Sequence, residues 1–135
     1  MGKNPSSGRQ QERTAKNLTA AEVAKAAVRA LDSKKALDIK VIGIRDLSIL
    51  ADYFVIATGT SSTHVKALAD EVEYQLKEAG EAPGHVEGYR SNTWILLDYH
   101  NVIVHVFLEE TRDFYDLERL WKDGEQIDAE TFLQS

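Results

Sequence analysis

The sequence predicts a single domain of the α/β type, an α+β mixture in which a mixed β-sheet is flanked by helices. Two observations carry this. Apolar stripes at helical spacing alternate with short runs rich in Val, Ile, Phe and Tyr. One such run is followed by a long helical pattern and then by further strands, and a crossover of that kind implies at least one parallel strand pair. The 135 residues suit one domain. At this length folding buries roughly two-thirds of the unfolded surface, enough for a real core.

The elements follow in order. Thr19-Ala20-Ala21-Glu22 forms a capping box, with Leu18 and Val23 placed to staple it. Val23, Ala24, Ala27, Val28 and Leu31 make one apolar face of a helix that ends near Ser33. Leu37, Ile39 and Val41 alternate with Asp38 and Lys40 as in a half-buried strand, which Gly43 weakens at its end. A polar bend at Asp46-Leu47-Ser48 leads to Tyr53-Phe54-Val55-Ile56-Ala57, a central strand buried on both faces. Gly59-Thr60-Ser61-Ser62 then opens a helix striped by Val65, Leu68, Ala69, Val72, Leu76 and Ala79, and Gly80 stops it. Pro83-Gly84 is a turn, and His85-Val86-Glu87 a short strand. Thr93 to Leu97 and Val102 to Leu108 pair through the turn Asp98-Tyr99-His100-Asn101. Phe114, Leu117, Leu120 and Trp121 mark a final helix ended by Gly124, and residues 125–135 form a weakly patterned tail.

Residues 1–17 differ from the rest. They hold Lys3, Arg9, Arg13 and Lys16 against Glu12, a charge of +3, so the overall net charge of -6 leaves -9 on the remainder. With Met1 and Ala15 as its only apolar residues, this basic leader is expected to be disordered. It lacks the apolar segment of a secretory signal. Met1-Gly2 with Ser6 matches only the loose myristoylation pattern. Pro5 and Gly8 interrupt the amphipathic helix that an organelle transit segment needs.

Composition excludes several classes. No cysteine means no disulfide framework, thiolate nucleophile or Cys-ligated zinc. No apolar run approaches the ~20 residues of a membrane span. An acidic total argues against a broad phosphate-binding face. The Gly59–Ser62 turn sits where backbone amides and a helix dipole hold anions, but it lacks a P-loop lysine and dinucleotide glycines, so a helix N-cap by Ser61 or Thr60 is expected. A nucleotidyltransferase would need paired carboxylates for Mg²⁺. The candidates, Asp98 with Glu87 or Asp38 with Asp46, form no Asp-x-Asp pair on a strand. His64, His85, His100 and His105 show no zincin spacing, and no serine has a nucleophile-elbow context. His105, between Val104 and Val106 and facing the opposite way, reads as a surface or hydrogen-bonded strand residue. No metal or cofactor is expected.

Exposed bulk is the remaining signal. Trp94 lies on a strand, Tyr99 in a turn, Tyr115 at the edge of the last helix's stripe with Arg119 a turn further on the same side, and Trp121 near the end of that stripe. Aromatics with Arg are favoured interface anchors.

Five segments in series resemble one family. They are Asp52-Tyr53-Phe54-Val55-Ile56-Ala57-Thr58-Gly59-Thr60-Ser61-Ser62-Thr63-His64-Val65, Glu87-Gly88, Trp94 to Tyr99, Val102 to Phe107, and Phe114 to Trp121. Together they resemble the ribosomal silencing factor, or Iojap-like, family over residues 19 to 122 of an expected domain at 18–124. The resemblance implies a nucleotidyltransferase-like core without catalytic carboxylates. It implies a non-enzymatic bacterial cytoplasmic protein, rather than an organellar one, that binds the large ribosomal subunit through a basic ribosomal protein (L14 type). There it blocks joining of the small subunit and represses translation under nutrient limitation. It also implies homodimers, little direct nucleic-acid contact, and a partner surface containing Trp94, Asp98, Tyr99, His105, Tyr115, Glu118 and Trp121, to which the exposed-anchor pattern adds Arg119. The alternatives are a nucleotide-binding nucleotidyltransferase-like enzyme and a homodimeric regulatory scaffold. One departure is the turn after Asp98-Tyr99, where the family usually has glycine and this chain has His100-Asn101. Asn tolerates the left-handed conformation, so the turn is expected to survive.

Overall fold

The computed structural model describes residues 18–134; the basic leader lies outside them. Helix α1 (Ala20–Ser33) is closed at its start by the expected capping box, with the Thr19 side chain accepting from the Glu22 amide and the Glu22 carboxylate accepting from the Thr19 amide. The chain continues through β1 (Leu37–Gly43), β2 (Tyr53–Gly59), α2 (Ser62–Glu78), β3 (His85–Glu87), β4 (Trp94–Asp98) and β5 (Val102–Leu108). It ends with α3 (Glu109–Tyr115), α4 (Leu117–Leu120), β6 (Glu125–Ile127) and α5 (Ala129–Leu133). The six strands form one sheet in the order β3-β4-β5-β2-β1-β6.

Every neighbouring pair is antiparallel except β2 and β5, which run parallel with Tyr53 opposite Val102 and Gly59 opposite Leu108. The predicted crossover is therefore present, and β2 lies in the interior of the sheet, buried from Phe54 onward. Alternation splits the apolar residues between two faces. Val55, Ala57, Val104, Val106, Ile95 and Leu97 face α1 and α2, and together they form the main core. Phe54, Ile56, Ile42 and Phe107 face the other way, into a smaller cluster covered in part by Leu117, Trp121 and Trp94.

The C-terminal third departs from expectation in two places. The single helix expected around Phe114–Trp121 is two short helices, broken at Asp116, whose backbone is left-handed with φ 49°. A continuous α-helix cannot pass through that conformation. The weakly patterned tail contains β6, which pairs with β1, and α5, which packs against α1. A three-residue strand is too short to show an alternation in sequence, and here its register comes from the sheet edge it joins. No helix of the described residues is long and apolar enough to cross a membrane.

Candidate docking surface

The face of the sheet opposite α1 and α2 carries a continuous chain of rings. Residue parity places Trp94 on β4 with His105 and Phe107 on β5 and Phe54 on β2. Trp94 lies 4.9 Å from Phe107 and 4.6 Å from Tyr115, centroid to centroid, and Tyr115 is 5.0 Å from Phe114. On the other side Phe54 meets His105 edge-on at 4.9 Å and Trp121 at 5.4 Å. The rings thus run from α3 across three strands to the segment after α4. Edge-to-face and offset contacts of this kind are worth about 0.5–1.5 kcal/mol each beyond burial.

His105 is the polar member. It is 4% exposed, and its Nδ1 accepts from Trp94 Nε1 at 3.1 Å. Burial pushes its pKa down from 6.5 to about 3, so the ring is neutral and Nε2 carries the proton. The expected hydrogen-bonded strand histidine is present, and its bond fixes the Trp94 ring. Trp94 is held from behind as well. Gly88 has φ 98°, and a Cβ there would lie 1.9 Å from the Trp94 carbonyl oxygen. Only glycine lets the β3–β4 connection approach Trp94 that closely.

The outer rings are open to solvent. Phe114 is 80% exposed, Tyr115 51% and Leu120 71%. Acidic residues border them, with Glu110 beside Phe114 and Tyr115 in a shallow groove that also includes Thr93 and Trp94. Glu118 is half-buried and tied to Arg112, Nη2 to Oε2 at 2.8 Å. Burial pushes the Glu118 carboxyl up, but the hydrogen bonds and charge of Arg112 outweigh it and hold the pKa below the ordinary value.

Of the residues expected at the surface, Trp94, His105, Tyr115 and Trp121 belong to the ring chain, with Glu118 beside it through Arg112. Arg119 is exposed on α4, away from any helical stripe shared with Tyr115, because Asp116 separates the two helices. Asp98 caps the hairpin turn by accepting from the His100 amide at 2.7 Å. Tyr99 is a correction: far from being exposed bulk in a turn, it is 5% exposed and packs in the main core on the α1–α2 side. Burial, then Glu73 and Glu81, push its phenol pKa up. The left-handed turn residue is His100, with φ 71°, and not Asn101. Phe54, Phe107, Phe114 and Arg112 were not singled out by sequence. For the first two, shared parity with Trp94 and His105 was the available signal.

The Gly59–Ser62 turn is the expected helix N-cap, with Ser61 as the capping residue. The Thr60 amide donates to His64 Nδ1 at 2.9 Å, and the Ser61 hydroxyl accepts from the His64 amide at 3.1 Å. The His64 ring reaches on to the Lys34 carbonyl at 2.8 Å, which pins the start of α2 to the end of α1. The turn is thus capped by Ser61 and tied through His64, as an ordinary helix start is. Among the described residues no group of three or more His, Cys, Asp or Glu could hold a metal ion.

The pattern of the family described as "Ribosomal silencing factor during starvation" matches residues 17–135. The chain belongs to the ribosomal silencing factor family. It is 37% identical over 109 residues to ribosomal silencing factor RsfS of Halalkalibacterium halodurans, covering 81% of this chain and 93% of that one. A crystal structure of a Chromobacterium violaceum protein superposes with a TM-score of 0.76 at 40% identity, covering 82% of this chain and 92% of the other. A more distant relative, mouse "Mitochondrial assembly of ribosomal large subunit protein 1", is 34% identical over 94 residues, 67% of this chain and 41% of that protein. This silencing factor's fold is that of its relatives, and the ring chain spans four of the five segments that resembled the family.

Proposed function

We propose that this ribosomal silencing factor docks on the large ribosomal subunit through a basic ribosomal protein of the intersubunit face. Bound there, it obstructs joining of the small subunit and lowers translation when nutrients are limiting. It acts by occupying a surface, without catalysis, in the bacterial cytoplasm, and it associates as a homodimer when free. The observation that carries the reading is the open aromatic face, with Phe114 and Tyr115 exposed beside Trp94 and acidic residues at the rim. Aromatic anchors with a charged rim are what a protein partner of opposite charge recognises. The family's name supports a ribosomal target, and the mouse relative's name points to the large subunit.

Cosedimentation with separated subunits, with subunit joining measured in the same samples, tests this. Wild type is expected to travel with large subunits and to inhibit joining. Trp94→Ala or Tyr115→Ala is expected to weaken binding about tenfold or more with the fold intact. Variants that fold and still bind as tightly as wild type overturn the surface. The nucleotide-enzyme alternative draws no support from the Gly59–Ser62 turn, which Ser61 caps as an ordinary helix start. Calorimetry with nucleoside triphosphates and Mg²⁺ is expected to give no saturable binding.

A further inference from the structure

Arg112 is the one buried cation among the described residues, 4% exposed. Four of its five N–H donors are used. Nη1 donates to the Asp38 carbonyl and to Thr58 Oγ1, both at 2.8 Å, while Nε and Nη2 donate to Glu118 Oε2 at 3.2 and 2.8 Å. Each partner has a reason to be there. Asp38 and Ile39 together oppose Ala57 alone, a β-bulge in β1 with Asp38 left-handed at φ 52°. The bulge takes the Asp38 carbonyl out of the ladder, and Arg112 satisfies it. Glu118 lies six residues further along, beyond the break at Asp116.

The guanidinium therefore spans the corner between α3 and α4 and fastens it to β1 and β2. Tyr115, which stacks on Trp94, and Trp121, which meets Phe54, lie on opposite sides of that break. Helices of seven and four residues are too short to hold themselves in place, and Phe114, Tyr115 and Leu120 bury little. We infer that Arg112 is a positioning residue for the docking face, its tie to Glu118 setting the angle between α3 and α4 and hence the spacing of the two ends of the ring chain. On this view Glu118 acts through Arg112 and not by touching the partner. The inference rests on the proposed docking reading, yet it has a readout independent of ribosomes. The chain has only two tryptophans, Trp94 and Trp121, one toward each end of the ring chain.

The test compares Glu118→Gln and Arg112→Lys with wild type. The first keeps the shape of the side chain and removes its charge; the second keeps the charge and removes the fork. Three quantities are measured on the full chain: quenching of tryptophan fluorescence by acrylamide, thermal unfolding, and affinity for isolated large subunits. Both variants are expected to stay folded at 25 °C, to show increased quenching, and to bind about tenfold more weakly. Adding Tyr115→Ala to Glu118→Gln is expected to cost less than Tyr115→Ala costs alone, because loss of the Arg112 tie has already displaced Tyr115. Unchanged quenching in a folded Glu118→Gln protein overturns the positioning role, whatever the ribosome result. Increased quenching with undiminished affinity overturns its link to docking. If wild type itself ignores large subunits, the docking reading fails, and quenching alone decides whether Arg112 sets the corner. Should Arg112→Lys not fold, Glu118→Gln decides the matter by the same outcomes.

Discussion

His105 shows how a polar residue can belong to an apolar face. Its ring is enclosed by Phe54, Trp94 and Phe107, and only its neutral form fits, since a charged ring would lose Nδ1 as an acceptor for Trp94. The folded pKa of about 3 lies below the unfolded 6.5, so the unfolded state binds the extra proton between those values. Stability is therefore full above pH 6.5 and is lost as pH falls toward 3, by up to about 1.4 kcal/mol per unit. Denaturant titrations at pH 7 and 5 are expected to show this loss in wild type and a flatter profile in His105→Gln, which keeps an acceptor and cannot take the proton. Glu118 works in the same direction at lower pH, where protonation removes its stabilising pairing with Arg112. The parity of His105 was legible in sequence; its burial was not, because that depends on Trp94 and Phe54 arriving from other strands. Arg112 was less legible still, with partners in β1, β2 and α4 that no local pattern connects to it.

At the scale of elements, local chemistry predicted well wherever the signal was local. The capping box at Thr19 and Glu22 and the Ser61 cap of α2 each rest on residues three positions apart, whereas the alternation expected of Leu37, Ile39 and Val41 is broken by the bulge at Asp38 and Ile39, which leaves Leu37 exposed. Thr19→Ala is expected to cost about 1 kcal/mol by chemical denaturation, since α1 covers one face of the sheet together with α2. Gly88→Ala is expected to cost more, about 2–3 kcal/mol, because both the positive φ and the Trp94 carbonyl oppose it, and to weaken docking by shifting Trp94. The elements that sequence missed owe their form to distant neighbours. The left-handed Asp116 joins α3 to α4 without a glycine to announce it. β6 exists because the edge of β1 is free to pair, and α5 because α1 offers it a surface.

For the whole molecule, net charge frames the proposed docking. A chain of net charge -6 is repelled by nucleic-acid phosphates and attracted to basic protein surfaces. Association with large subunits is expected to slow about tenfold or more between low and high salt, while dissociation, governed by the aromatic contacts, changes little; stopped-flow mixing at several salt concentrations would show the split. Fold class and mixed sheet were legible here because the crossover rule constrains topology, and the ring chain was legible only in part because it is assembled from three strands, α3 and the segment after α4.

The single parallel pair also dictates timing. β2 is laid down early, apolar on both faces, yet one of its two edges stays bare until Val102 to Leu108 has been made. At a synthesis rate of roughly ten residues per second, the strand Phe54-Val55-Ile56-Ala57 waits about five seconds for its neighbour. Nascent chains stalled before Val102 should therefore be held by chaperones or aggregate, and those stalled once β5 is clear of the exit tunnel should resist protease. Completion of the sheet around β2 thus waits on the synthesis of β5, the last strand to border it.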